Sequence, residues 1–396
     1  MHVRRLQLTN YRNYPTLDLS LAPGSLLFLG DNAQGRSNLL EAAYVLAAGR
    51  SPRAGSDAEL IARGVETGAQ PFARLQASVE RRDGAIELET IIAGPPSATE
   101  APSASARAGK RFRVNGIPRR AADFVGQLRA VLFTADDLEI VSGSPGARRA
   151  FLDAALSQLD RGYHGALQRY GRIMQQRNAS LRRIREAIAT PDELTLWDES
   201  FSREGATLIA ARQRAVRRLA DLVSVAHRNL SGANEQLDLE YEPQLGDEWR
   251  AMLQPDADAE AVQPLFAAAL AGQRRREIAA GLTLVGPHRD DVSVRLNGAS
   301  AASFGSRAQI RTAALAIRLA EAALFVELTH DPPVLLLDDI VSELDERRRR
   351  SVLEGIAGFD QVWFSATSAE ALPSDFVARS TVYTVSSGAV TPSPSL

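Results

Sequence analysis

Residues 25–46 read SLLFLGDNAQGRSNLLEAAYVL, and their order decides the fold. Ser25 to Leu29 is a short apolar run, the pattern of a strand buried on both faces. Gly30-Asp31-Asn32-Ala33-Gln34-Gly35-Arg36-Ser37 follows as a glycine-punctuated loop. Asn38 then opens a predicted helix through Leu39, Leu40, Val45 and Leu46. Strand, loop and helix in that order are what a phosphate-binding loop requires. Backbone N–H groups of the loop and the positive end of the helix converge on an anion. The spacing is that of a Walker A motif, with Arg36 in the lysine slot. Gly30 to Asn38 are therefore the predicted ATP-binding residues, and Ser37 is the predicted Mg²⁺ ligand.

Arg36 carries its own expectation. Arginine keeps the charge of lysine but is longer, planar and forked, so the exchange is not conservative at a tight phosphate site. Nucleotide binding is expected to survive and hydrolysis to be weakened. Composition offers a second explanation. Lys110 is the only lysine among 46 basic residues, and such a bias would by itself place arginine in a lysine slot.

The second half of the site lies near the other end of the chain. Pro333-Val334-Leu335-Leu336-Leu337-Asp338-Asp339 is an apolar strand tipped by two acids, a Walker B pattern. Carboxylates at the C-terminal end of a parallel strand sit where α/β proteins bind ligands. Asp338 is predicted to hold Mg²⁺, and Asp339 to orient and deprotonate an attacking water. Ser342-Glu343-Leu344-Asp345 follows directly and matches a D-loop, with Ser342 and Asp345 as its polar members. Upstream, Ser306-Arg307-Ala308-Gln309 precedes an amphipathic helix bearing Ala313, Ile317, Ala320, Leu324 and Leu328. This is an SxGQ-type signature, with Ala308 in the usual glycine position. Ser306, Arg307 and Gln309 are its predicted contacts to a nucleotide held by a second copy.

Between the two halves the texture becomes helical. Leu167, Tyr170, Ile173, Arg177, Leu181, Ile184 and Ile188 recur at three- and four-residue steps, as do Leu208, Val216, Leu219, Val223, Ala226 and Leu230. Two long antiparallel amphipathic helices are predicted. The fold class is α/β: an ABC/SMC-type P-loop ATPase head with an inserted helical arm. Segments 1–146 and 282–396 form the head, and 147–281 the arm. Residues 93–109, rich in Pro, Ala, Ser and Gly, predict a loop between two strands.

Composition narrows the class further. The 396-residue chain is 45% hydrophobic and 24% charged, ordinary for a globular protein. It has no apolar run long enough for a membrane span, so no membrane association is expected. Cysteine is absent, which excludes disulfides and thiolate metal sites and fits a cytoplasmic protein. With a net charge of −2, DNA binding must come from local basic patches.

Taken together, LTNYRNY (8–14), GDNAQGRSNLLEA (30–42), GRSPRAGSDAELI (49–61), VLFTADDLEIVSGSPGARRAFLD (131–153), LVGPHRDDV (284–292), SRAQIRTAALAIRLAE (306–321) and VLLLDDIVSELDERRRR (334–350) resemble the RecF family of bacterial recombinational-repair proteins. The resemblance runs through the chain in order, outside the 93–109 loop and the centre of the helical insertion. It implies an ATP-dependent homodimer with two ATP molecules between protomers. It also implies binding to double-stranded and single-stranded/gapped DNA. Cooperation with RecR and RecO in loading RecA, and support of the SOS response, follow from it too. By the same resemblance Arg12 and Asn13 lie near the nucleotide, and Asp136 or Asp137 falls in a Q-loop-like segment.

For DNA the candidates are Arg182, Arg183 and Arg185; Arg212, Arg214, Arg217 and Arg218; and Arg274, Arg275 and Arg276. Phosphate contacts of this kind are sequence-independent and salt-sensitive; solvated helix faces are the competing reading. His288 lacks companion ligands, so a structural or interface role is expected. The alternative function is a nucleotide-gated DNA-binding scaffold with little or no ATP turnover.

Overall fold

The computed structural model describes residues 1–64, 70–95, 109–232, 235–340 and 344–393. The chain separates into two compact units. One comprises Met1–Asp137 and Glu321–Leu396, and the other Leu138–Ala320.

The first unit is built on two six-stranded sheets. One is antiparallel, in the order Tyr14–Ser20, His2–Tyr11, Phe72–Arg81, Gly84–Ala93, Gly109–Val114, Ile117–Arg119. Its first strand buries Val3, Leu6 and Leu8, which is not a strict alternation. A register shift between Val3 and Arg5 supplies the extra residue, so both apolar sets reach the same core face. The strands flanking the 93–109 stretch are neighbours in this sheet, as expected; residues 96–108 lie outside the described residues.

The second sheet runs Ala389–Pro392, Thr381–Ser386, Gly24–Leu29, Gln361–Ala366, Val334–Asp338, Ala130–Phe133. All of its pairings are parallel except the terminal hairpin. Its central strands are buried nearly throughout, as strands covered on both faces must be. Leu335, Leu336, Leu337, Trp363 and Phe364 are each 0% exposed.

Helix Arg36–Ala48 joins one core with both sheets. Its buried residues include Leu39, Leu40, Ala42, Ala43, Val45, Leu46 and Ala47, an apolar surface nearly all the way round. A helix of that kind is stable only when covered on opposite faces. Truncating Leu40, which is fully buried, would cost about 2–5 kcal/mol.

The second unit is helical around a small sheet. Helices Arg161–Arg185 and Thr195–Ser231 are the predicted pair, and Ala259–Ala280 completes their core around Tyr163, Tyr170, Phe201, Ile209 and Phe266. Strands Ala299–Ser300, Asp291–Leu296 and Leu237–Glu242 pair antiparallel in that order. The sequence reading ended the helical segment at 281, whereas the compact unit continues to Ala320. The first helix ends at Arg185, so Ile188 lies beyond it and is exposed.

The LVGPHRDD motif is buried structural wiring in this unit. Asp290 accepts hydrogen bonds from the Gln244 N–H at 2.8 Å and from the Tyr241 hydroxyl. Asp291 takes both guanidinium arms of Arg148, at 2.6 and 2.9 Å. Arg212 was a DNA candidate, and the structure corrects that assignment. It is 2% exposed and donates to the Tyr163 hydroxyl at 3.0 Å, the Pro287 carbonyl at 2.6 Å and Asp153 at 2.8 Å. Arg177 is likewise fully buried, bonded to Asp198, Thr283 and Glu277.

His288 has the structural role expected of it. The Tyr170 hydroxyl lies 2.7 Å from Nδ1, and Nε2 lies 3.3 Å from the Thr283 carbonyl. A neutral ring protonated at Nε2 satisfies both contacts. Burial pushes the imidazole down to about 4. Because its folded value lies below the unfolded one, the unfolded chain binds more protons, and stability falls as pH drops from about 6.5 towards 4. The full loss amounts to about 3 kcal/mol before solvent screening. Urea unfolding at pH 7.5 and pH 5 should show about 2 kcal/mol of this loss in the natural chain and a flatter pH dependence in His288→Gln. Equal slopes would remove His288 from the account.

Candidate nucleotide site

The phosphate loop leaves the C-terminal end of strand Gly24–Leu29, and the two acids end strand Val334–Asp338. One strand, Gln361–Ala366, lies between them. Parallel pairing puts all three C-terminal ends on the same edge, with Asp338 level with Ser365 and Ser365 level with Phe28. Residues 301 positions apart in the chain therefore meet: Ser37 Oγ donates to Asp338 Oδ1 at 2.8 Å.

The loop geometry demands its glycine. Gly35 caps the helix at φ 117°, in the left-handed region. A Cβ there would lie 2.4 Å from Asn13 Nδ2 and 2.9 Å from the Tyr14 hydroxyl. Only glycine fits that conformation and that space. Asn13 Nδ2 donates to the Gln34 carbonyl at 2.9 Å, and Asn38 Nδ2 donates to Asn13 Oδ1 at 2.8 Å. The turn after strand Thr381–Ser386 closes the other side, with the Ser387 N–H donating to Gln34 Oε1 at 2.7 Å. Ala33 also has positive φ, and Asp31 and Asn32 lie on the exposed outer part of the loop.

Arg36 is 7% exposed, and its Nη2 donates to Asn32 Oδ1 at 3.1 Å. Its Nη1 is buried with no hydrogen-bond partner among the described residues. A buried, unsatisfied guanidinium N–H is costly. Here it stands at a helix N-terminus in a glycine cradle, where a phosphate oxygen would satisfy it. The residues present therefore fit a nucleotide phosphate, and Ser37 and Asp338 fit a hard cation.

At the strand tip, Ser365 is 2% exposed and bridges both acids. Its Oγ donates to Asp338 Oδ1 at 2.8 Å and accepts from the Asp339 N–H at 3.0 Å. That bond helps hold Asp339 at φ 56°, a strained position for a non-glycine residue.

Glu41 centres a buried charge knot behind the loop. It is 0% exposed and accepts both arms of Arg12 at 2.9 Å, Tyr11 OH at 2.8 Å and Ser51 Oγ at 2.6 Å. Burial pushes its carboxyl up, but the donors from Arg12 and Ser51 outweigh that and hold it below the ordinary value. Arg53 Nε lies 3.6 Å from the same carboxylate. Its Nη2 donates to the Ser37 carbonyl at 2.7 Å, and its Nη1 is 3.7 Å from Asp338 Oδ2. Glu41, Arg53 and Ser365 were not singled out from the sequence. The one available signal was the presence of Glu41 and Arg53 inside resembling segments.

The other sequence candidates have local roles. Ser306 and Gln309 form a capping box: the Ser306 N–H donates to Gln309 Oε1 at 2.8 Å, and the Gln309 N–H to Ser306 Oγ at 3.3 Å. Arg307 and Ala308 begin the exposed first turn of helix Arg307–Thr329, where alanine is unstrained. Asp345 caps helix Glu346–Gly355, accepting the Arg348 N–H at 2.8 Å. Asp137 caps its own turn by accepting the Thr134 N–H at 2.8 Å. Ser342 lies outside the described residues.

Comparison with known proteins gives a consistent result. The family described as RecF/RecN/SMC N terminal domain matches residues 2–372. The DNA replication and repair protein RecF of Chloroflexus aurantiacus is 41% identical, covering 98% of this chain and 99% of that protein. Its counterpart in Herpetosiphon aurantiacus is 41% identical over 99% of this chain and 100% of that protein. A solved structure of the recombination mediator protein RecF-ATP in the RecFOR pathway has a TM-score of 0.86 at 28% identity, covering 99% of this chain and 98% of that chain. An SMC head bound to the C-winged helix domain of ScpA has a TM-score of 0.53 at 12% identity, a likeness of fold alone. Fold and site thus define a P-loop head of the ABC/SMC ATPase class. Within that class, identity over the whole length is specific, and the chain belongs to the RecF family of DNA replication and repair proteins.

Proposed function

We propose that the chain binds Mg²⁺·ATP at residues 30–38, dimerises on it, and clamps double-stranded or gapped DNA in support of RecA loading with RecO and RecR, including SOS induction. The carrying observation is the buried Arg36 Nη1, unpartnered among the described residues and set in the glycine cradle beside the Ser37–Asp338 pair. Arg36 and the loop N–H groups bind phosphate oxygens. Mg²⁺, held by Ser37 and Asp338, would neutralise charge on those oxygens. Asp339 orients the attacking water and takes its proton. Ser306, Arg307 and Gln309 of one copy, with Ser342 and Asp345, face the nucleotide of the other. Exposure of Ser306, Arg307 and Ala308 supports that reading.

DNA contacts fall to Arg182, Arg183, Arg185, Arg214, Arg217, Arg218, Arg274, Arg275 and Arg276, with Arg212 removed. Segments 1–146, 147–281 and 282–396 serve as head, arm and head in this reading, with residues 138–146 and 282–320 belonging to the same compact unit as the arm. Localisation is cytoplasmic in this reading. Among the described residues, no helix is long and apolar enough to cross a membrane.

Sizing the full chain with and without Mg²⁺·ATP and gapped duplex tests the clamp: a dimer requiring ATP is expected, and a monomer under every condition overturns it. Turnover is the point at which the scaffold alternative diverges. Arg36 already uses one arm on Asn32, so its fork is not free to follow the γ-phosphate as lysine does. Arg36→Lys is expected to raise ATP turnover several-fold, read as phosphate release; equal rates would discard the impaired-hydrolysis reading.

A further inference from the structure

Arg53 is a cation held against the carboxylate that the site offers to a metal. Three contacts fix it: Glu41 behind it at 3.6 Å, the Ser37 carbonyl at 2.7 Å and Asp338 in front at 3.7 Å. Its loop is shaped for this placement. Gly49 ends the helix at φ 70°, and Ser51 Oγ accepts the N–H groups of Arg53 and Ala54 at 3.0 and 2.9 Å while donating to Glu41. The knot of Glu41, Arg12 and Arg53 holds one carboxylate for two guanidinium groups, which leaves one positive charge beside Asp338.

We propose that Arg53, positioned by Glu41, is the resident counter-charge of Asp338 and makes cation binding at Asp338 conditional on nucleotide. The inference rests on the nucleotide-site reading above and adds a regulation of that site. Without nucleotide, an incoming divalent cation meets a carboxylate already neutralised and a like charge a few ångströms away, so its affinity is low. Nucleotide phosphates bring several negative charges to the same spot. They offset Arg53 and leave Asp338 to the metal. Metal and nucleotide then enter together, and the coupling is reciprocal.

The test uses the full chain and Mn²⁺ as probe, titrated by electron paramagnetic resonance with and without a non-hydrolysable ATP analogue. The natural chain is expected to bind Mn²⁺ weakly alone and at least about tenfold more tightly with the analogue. Arg53→Gln should bind Mn²⁺ alone about tenfold more tightly than the natural chain, shrinking the dependence on nucleotide; Arg53→Lys should retain the dependence. Glu41→Gln should move the opposite way, to weaker Mn²⁺ binding without the analogue, because it removes the knot's carboxylate and leaves two guanidinium charges beside Asp338.

Arg53 is about one-third exposed, so its variants keep the fold even if Glu41→Gln does not. Unchanged Mn²⁺ affinity in Arg53→Gln, with analogue binding intact, overturns the proposal and leaves the nucleotide site standing. Failure of the natural chain to bind the analogue with Mn²⁺ overturns both.

Discussion

Arg212→Ala is expected to destabilise the Leu138–Ala320 unit by about 3–5 kcal/mol. The guanidinium is 2% exposed and lies between Asp153, 2.8 Å away, and Asp290, 3.5 Å away. Removing it leaves Asp290, itself 0% exposed, as a buried carboxylate without its cation. It also orphans the Pro287 carbonyl, which accepts from Arg212 at 2.6 Å. Breaking a buried pair by deleting one partner costs far more than the pair contributes as a whole. Thermal or urea unfolding reads the loss directly. If Arg212 were a DNA contact, its alanine variant would melt as the natural chain does and lose DNA affinity instead. An unchanged melting temperature would therefore restore it to the DNA candidates.

Asp338→Asn should abolish the Mg²⁺-dependence of ATP binding and lower turnover on the order of a hundredfold or more. The carboxylate is the acceptor shared by Ser37 and Ser365, each at 2.8 Å. Asparagine keeps an oxygen for those hydroxyls, so the strand tip and the left-handed Asp339 remain in place. What it removes is the charge that a divalent cation needs. ATP affinity measured with and without Mg²⁺ separates the two effects. The natural chain should bind more tightly with the cation, and the variant should bind equally in both conditions. A variant that still gains affinity from Mg²⁺ would place the metal elsewhere.

Much of this architecture was readable because its signals are local. The phosphate loop and the acid-tipped strand each announce themselves within ten residues, and the helical periods fell on the right segments. What the sequence did not reveal depends on which strands become neighbours. Ser365 acts because Gln361–Ala366 lies between the two motif strands, and no spacing encodes that. Glu41 and Arg53 meet because the loop from 50 to 55 doubles back on the helix before it. The misassignment of Arg212 is different, because a signal was present. Arg212 lies four residues after Leu208 and four before Val216, both buried, so it sits on the core stripe of its helix. Charge outweighed periodicity in that reading, whereas the neighbouring positions 214, 217 and 218 are exposed. Arg177 is the contrasting case: periodicity places it on the stripe between Tyr170 and Leu181, and it is buried there.

The proposed phosphate contact of Arg36, in a loop that lacks lysine, is open to calorimetry. Calorimetric titration of Mg²⁺·ATP into the natural chain and into Arg36→Ala tests it most directly. One site per chain is expected, weakened at least about tenfold in the variant, since a buried charge-assisted hydrogen bond is lost. Equal affinity in the two proteins, or no binding to the natural chain, would contradict it.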